Sequence, residues 1–370
     1  MNKSKMPPDY FLKPIIIFGE LVRFTEISVG NIIKMDENLL MNSKIISVVT
    51  GASGFVGSHL VDKLLAEGHH VKCILRSSSS RKWLEGKPVE IANCGLFDKE
   101  ALKNVLKDAD YIYHVAGVVK AKKEEDYFKG NVESTKTLLD VAVEVNPNLK
   151  RFVVTSSQTA CGPSFDGKPC NEETTERPIT TYGRSKFAQE KLAQTYFDKL
   201  PITIVRPPAV FGERDTEVYL IFKTYKVGLF TLIGFNEKKL NLIHVADLVN
   251  GIYEASISAN TVGKKYFIAS EELYTWPQVG KAIGEALGKR ALTLRLPHSM
   301  VYSVAAIAHF FAMFSSKAAT FNLEKARDFV QPGWTCEVSR AKKDFGYTQK
   351  VSLEEGIKRS IDWYKEMKWL

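Results

Sequence analysis

The chain is poor in every feature that would tie it to an oxidising compartment or fix it across a bilayer. Its 370 residues include only five cysteines. These are Cys73, Cys94, Cys161, Cys170 and Cys336, an odd number without paired metal-type spacing. Neither a disulfide framework nor a zinc site is expected, no metal is called for, and the protein is assigned to the cytoplasm. No stretch reaches the roughly 18 uninterrupted apolar residues of a membrane span. The nearest, Leu296 to Phe314, is broken by His298, Ser299, Ser303 and His309. It reads as a helix buried against the rest of the fold, with peripheral membrane contact left open. Repeats and low-complexity blocks are absent. The net charge of +9 is scattered rather than striped, which favours anionic small molecules over nucleic acid as partners. Residues 1–43 have neither the apolar core of a signal peptide nor the acid-poor composition of a transit peptide, since Asp9 and Glu20 interrupt them. They are read as an extension outside the fold, which begins near Met41.

What is present is an alternation. From Lys44 to about Arg206, short apolar β-branched runs alternate with amphipathic stretches, the mark of a doubly wound parallel sheet in an α/β fold. Strands are expected at Ile45 to Val49, His70 to Leu75, Val89 to Ala92, Tyr111 to Val115, Phe152 to Thr155 and Ile202 to Val205, none of them an exposed edge. Helices are expected near Phe55 to Ala66, Lys99 to Leu106, Asn131 to Val145 and Ser185 to Asp198. Pro207 and Pro208 then stop the rhythm. The reading is a dinucleotide-binding domain over 44–207, rejoined by 241–268, with a smaller substrate-binding lobe from 208–240 and 269–370.

The strongest motif is Thr50-Gly51-Ala52-Ser53-Gly54-Phe55-Val56-Gly57, set between an apolar strand and an apolar-periodic helix. Its glycines allow a tight turn and close backbone approach to a pyrophosphate, and the helix N-terminus supplies NH groups and a favourable dipole. Where NAD enzymes usually carry an acid for the ribose, this chain has Arg76, then Ser77 to Ser80, Arg81 and Lys82. Cations and hydroxyls suit a 2′-phosphate, so NADP is the expected cofactor and NAD the alternative. Tyr182 and Lys186 lie four residues apart, on one face of a helix. An ammonium there is expected to lower the phenol's pKa and fit it for acid–base work near neutral pH. Ser156 and Ser157 emerge at the end of the fifth strand, where Ser157 is the candidate to steady a substrate oxygen and Ser156 its competitor.

Together with His114-Val115-Ala116-Gly117, Asn131, Arg206-Pro207-Pro208 and Ile243-His244-Val245-Ala246-Asp247, these residues resemble the extended short-chain dehydrogenase/reductase superfamily, also called the NAD-dependent epimerase/dehydratase family. Arg76 and the segment from Trp334 to Leu370 resemble its dihydroflavonol reductase and 3β-hydroxysteroid dehydrogenase-like branch. The resemblance implies a Rossmann fold, a Ser157/Tyr182/Lys186 triad, Lys186 also on the nicotinamide ribose, and Pro207 at the nicotinamide. It adds Ala116 and Gly117 to the cofactor-binding residues. The family's Gly-Asp-Leu after the third strand is here Cys94-Gly95-Leu96 with Asp98 displaced, which leaves Leu96 to contact the adenine. Helices of this fold often pair into a homodimer.

The function expected is hydride transfer that interconverts a carbonyl and an alcohol on a small hydrophobic or aromatic molecule. Phe211, Tyr219, Phe222, Tyr225 and Phe230, with Ser299 to Phe314 as a further wall, are the candidate apolar lining. The alternative is a nucleotide-sugar epimerase with retained NAD. A dehydratase is disfavoured because Gln158 and Thr159, rather than an acidic pair, follow Ser157.

Overall fold

The computed structural model describes residues 44–313 and 321–370; the extension expected over residues 1–43 lies outside them. In chain order the strands are β1 (Ile46–Thr50), β2 (His70–Leu75), β3 (Val89–Asn93), β4 (Tyr111–His114), β5 (Arg151–Thr155), β6 (Ile202–Arg206), β7 (Ala209–Phe211), β8 (Leu229–Ile233), β9 (Lys239–Leu240), β10 (Leu242–His244), β11 (Lys264–Phe267), β12 (Tyr274–Thr275), β13 (Leu292–Leu296) and β14 (Gly333–Trp334). The α-helices are α1 (Phe55–Ala66), α2 (Lys99–Leu106), α3 (Glu124–Phe128), α4 (Ser134–Val145), α5 (Gln158–Cys161), α6 (Thr181–Gln194), α7 (Tyr219–Lys226), α8 (Val245–Ile257), α9 (Trp276–Leu287), α10 (His298–Met313), α11 (Leu323–Phe329), α12 (Ser339–Phe345) and α13 (Leu353–Glu366).

Seven parallel strands form the main sheet in the order β11-β6-β5-β4-β1-β2-β3. The order reverses between β1 and β4, which opens a crevice beyond their carboxyl ends. This is the Rossmann arrangement the alternation predicts. Apolar residues cover both faces of its central strands. Val49, Leu60, Leu64 and Ile252 pack one face, and Val48, Leu102, Leu138 and Ile202 the other. One strand departs from expectation. β3 is an edge, and it alternates Val89 and Ile91 inward with exposed Glu90. An edge strand has one neighbour and needs only a single apolar face.

After β6 the chain builds smaller sheets, β10-β7, β12-β9-β14 and β13-β8, and then returns β11 to the main sheet. Asp247 of the Ile243–Asp247 motif accepts from the amides of Lys350 (3.0 Å) and Val351 (2.9 Å). It anchors the segment that leads into α13. The aromatic residues expected to line a pocket do something else: Phe211, Phe222, Tyr225 and Phe230 are buried in the core of this second layer, with Tyr219 packed against them. A region with a small sheet has to spend its large side chains on making a core at all. The segment Leu296 to Phe314 also differs from expectation. Among the described side chains of α10 only Val301 and Ala305 are buried, and most of the others face outward.

Candidate functional site

The glycine turn follows β1. Gly51 adopts φ +70°, and a Cβ there would lie 2.7 Å from the amide nitrogen of Ala116. The turn after β1 and the loop after β4 therefore touch backbone to backbone across the crevice, which only glycine permits. Gly57 sits in the first turn of α1, where a Cβ would collide with the carbonyl of Gly51. Gly54 caps α1 without a side-chain bond, and no acid occupies the first turn. The amides of Phe55, Val56 and Gly57 thus present an uncapped helix N-terminus beside Ser53, a cradle that fits a dinucleotide pyrophosphate.

Arg76 follows β2 directly. Thr50 of β1 pairs with Ile74 of β2, so Arg76 is level with the turn. It is exposed; its carbonyl accepts from Ser79 N at 2.9 Å, while its guanidinium forms no hydrogen bond or ion pair with any described residue. The other two cations of the loop are committed. Arg81 donates to Asn93 Oδ1 at 2.8 Å, and Lys82 lies 4.4 Å over the Trp83 ring. Leu96 packs partly buried at the edge of the core. The displaced Asp98 accepts from Ala101 N at 3.1 Å as the N-cap of α2. An acid shifted three residues toward the helix serves the helix.

The loop after β4 is joined to the helix that carries Tyr182. Asn131 Oδ1 accepts from Val118 N at 2.7 Å, and Asn131 Nδ2 donates to Ser185 Oγ at 2.8 Å. Asn131 is fully buried in a π-helical turn, Lys129–Glu133, of the kind that marks functional sites. A Cβ on Gly117 would stand 3.0 Å from Asn131 Oδ1 and 3.7 Å from Lys186 Nζ, so this glycine leaves room above both. Behind them, the buried His114 ring bonds Thr50 and Thr135 hydroxyls, both at 2.8 Å. Gln189 of α6 reaches the same Thr135 at 2.7 Å. Burial lowers the His114 pKa to about 3, so the ring stays neutral and links glycine turn to α6 by hydrogen bonds alone.

Helix α6 begins at Thr181 rather than near Ser185, because the Thr180 hydroxyl accepts from Gly183 N at 3.1 Å. Tyr182 therefore stands in the first turn, with Lys186 one turn below. Of the two serines after β5, Ser156 is committed to the interior, donating to Glu190 at 2.5 Å. Arg206 clamps that carboxylate at 2.9 and 2.6 Å. Ser157 accepts from Thr159 Oγ1 at 2.9 Å and lies near enough to the Tyr182 hydroxyl to act on its pKa. Pro207, buried, accepts from Gln158 N at 2.8 Å and holds that loop to β6.

The electrostatics correct one expectation. Burial pushes the Tyr182 phenol up to about 12, with Ser157 pulling the other way. Lys186 is itself lowered to about 7 by burial, with Glu190 opposing, and its amine donates to the Thr155 carbonyl at 2.7 Å. Desolvation outweighs the attraction expected between the two, and the phenol is held neutral.

Sequence reasoning missed Asp328. Helix α11 docks on the start of α6, where the Glu324 carboxylate accepts from Thr181 N and Arg327 donates to the Ile179 carbonyl at 3.0 Å. This brings Asp328 close enough for its charge to act on Tyr182. Its Oδ1 is buried without a partner, and burial raises its pKa to about 7. Nothing in the local sequence marks a residue so far from Tyr182 along the chain. Among the described residues there is no cluster of His, Cys, Asp and Glu that could hold a metal, and no helix is long and apolar enough to cross a membrane.

The model of a family described as NAD dependent epimerase/dehydratase matches residues 47–269. The chain is 25% identical over 322 residues to a ceramide reductase of Caulobacter vibrioides, covering 87% of this chain and 95% of that one. It is 22% identical to a sterol-4-alpha-carboxylate 3-dehydrogenase, decarboxylating, of Dictyostelium discoideum, covering 84% and 98%. The crystal structure of a UDP-glucuronic acid 4-epimerase from Bacillus cereus in complex with NAD superposes with a TM-score of 0.71 at 20% identity, covering 87% and 99%. At that identity the last likeness speaks for the fold.

Proposed function

The chain belongs to the NAD dependent epimerase/dehydratase family, and from that premise we propose that it is an NADP(H)-using oxidoreductase that reduces the carbonyl of a hydrophobic small molecule. The observation that carries this reading is the state of Tyr182, a phenol held neutral up to about 12 by burial, with Ser157 near enough at the carboxyl edge of the sheet to pull its pKa down. A neutral phenol is loaded to give a proton, which is the duty of the acid in carbonyl reduction.

In this mechanism Ser157 and Tyr182 hold the carbonyl oxygen through their hydroxyls, and Tyr182 delivers its proton to that oxygen as charge develops. Ser157 then stabilises the phenolate left behind, and Lys186 compensates its charge by taking up a proton at an amine poised near 7. A nicotinamide dinucleotide, when bound, supplies the hydride. Gly51, Ser53, Gly54, Phe55, Val56 and Gly57 would hold its pyrophosphate and Arg76 its 2′-phosphate. Leu96, Ala116, Gly117, Lys186 and Pro207 would line the rest of its length. The names of the Caulobacter and Dictyostelium relatives, a ceramide reductase and a sterol-carboxylate dehydrogenase, support a lipid-like substrate class. Five free, buried cysteines support a reducing, cytoplasmic setting.

The test is a panel of long-chain ketones, oxo-sterols and nucleotide sugars, each incubated with NADPH and with NADH and followed at the nicotinamide absorbance. Consumption of NADPH with a hydrophobic ketone is the expected result. Sugar epimerisation without net change in the cofactor would instead establish an epimerase.

A further inference from the structure

We infer that the outward face of α10 is a docking surface for an anionic lipid bilayer. The helix His298–Met313 carries no Asp, Glu, Lys or Arg along its length. Its inner side packs Val301 and Ala305 against α11 and the end of β13. Its outer side is also apolar: Met300, Val304, Ile307 and Phe311 are 48, 49, 58 and 68% exposed. Their spacing of i, i+4, i+7 and i+11 makes one continuous helical stripe, the pattern that ordinarily faces a core. Tyr302 and Phe310 widen it. An apolar stripe of this length turned to water marks an interaction surface.

The charge around the stripe selects the occupant. The strand that leads into α10 carries Arg295 and is preceded by Lys289 and Arg290, all three exposed. Lys238 lies against His298, at the first turn of the helix. Arg295 and Lys238 share a hollow with Asn236 and Trp276, in which Glu237 is the one acid. A charge-free apolar helix with Lys238 and Arg295 beside its first turn matches the layering of a bilayer surface with acyl chains beneath anionic headgroups. A protein partner would call for polar groups within the apolar face to fix its register, and among its described side chains this stripe offers little beyond Ser303 and the Tyr302 hydroxyl. The helix beneath, α11, docks on the start of α6 beside Tyr182. If the proposed reductase reading holds, the docked face adjoins, through α11, the helix that carries Tyr182, although the docking itself does not depend on that reading.

The experiment is co-sedimentation of the full chain with vesicles of phosphatidylcholine alone and of phosphatidylcholine with phosphatidylglycerol, at low and physiological salt. Binding to the anionic vesicles, weakened by salt and about tenfold weaker on the neutral ones, is expected. The pair Ile307→Glu and Phe311→Glu is expected to lower that binding by about tenfold or more with an unchanged melting temperature, because both side chains are already in water. Arg295→Glu with Lys238→Glu is expected to remove the preference for anionic vesicles while leaving the weak neutral binding. Failure of the full chain to bind anionic vesicles overturns the inference, as does equal binding by the Ile307/Phe311 variant. A concentration-dependent dimer that the same substitutions abolish, in a chain that ignores vesicles, also overturns it and makes a second copy the occupant.

Discussion

Gly51 and Ala116 meet backbone to backbone: a Cβ on the glycine would stand 2.7 Å from the alanine's amide nitrogen and 2.9 Å from its Cα. The contact ties β1 to β4 at the switch point of the sheet, and Gly51 also holds a positive φ of 70°. Gly51→Ala must both strain the turn and push the β4 loop away. It is expected to cost about 1–3 kcal/mol and to abolish NADPH binding, as read by thermal unfolding with and without cofactor.

Arg76 is the unengaged cation of its loop, whereas Arg81 and Lys82 are held by Asn93 and Trp83. Charge-assisted hydrogen bonds contribute about 1.5–3 kcal/mol, roughly ten- to a hundredfold in affinity. Arg76→Asp is therefore expected to weaken NADPH by that factor and to improve NADH. The check is a dissociation constant for each cofactor with parent and variant, at one salt concentration because the site is exposed. NADH binding as tight as NADPH in the parent would remove Arg76 from the account.

Adjacent serines should fail in different ways. Ser157 lies near enough to the Tyr182 hydroxyl to act on its pKa, whereas Ser156 is buried on Glu190. Ser157→Ala and Tyr182→Phe are each expected to lower kcat by about 10²–10⁴ with cofactor binding retained. Ser156→Ala should spare the rate and cost about 1–3 kcal/mol of stability, since it strips a bond from a buried carboxylate. Steady-state kinetics together with denaturant melts separate the two.

Asp328 gives a pH signature. Burial moves its carboxyl from 3.8 to about 7, so between those values the folded chain keeps a proton that the unfolded chain has released. Its contribution to stability thus falls as pH rises through that window and is level above it. Asp328→Asn, which cannot ionise, is expected to melt a few degrees above the parent at pH 8 and to match it near pH 4. An equal difference at both pH values would mean that the carboxyl does not titrate there.

How much was legible in the chain beforehand depended on how local the physics is. Helices α1 and α2 and strand β2 stand where periodicity puts them, because apolar spacing and capping act within a few residues. The glycine turn was readable too, since a positive φ and a helix start are local demands. Helix α6 begins a turn earlier than periodicity suggests, the Thr180 cap deciding it. Around the site, the order of contacts was out of reach. That Ser156 is spent on Glu190, and that Asn131 pins the β4 loop to α6, depend on elements brought together from distant parts of the chain.

By itself, then, the sequence determined the strand–helix alternation, the cofactor turn and the residues able to do the chemistry, because each is written in neighbouring positions. Only the tertiary structure decided which of those residues are free. Burial turned the Tyr182–Lys186 pair into a neutral phenol above an amine near 7. Packing drew Phe222 and Tyr225 into a core and left Ile307 and Phe311 in water. Desolvation and burial are properties of the whole assembled neighbourhood, and no local pattern encodes them.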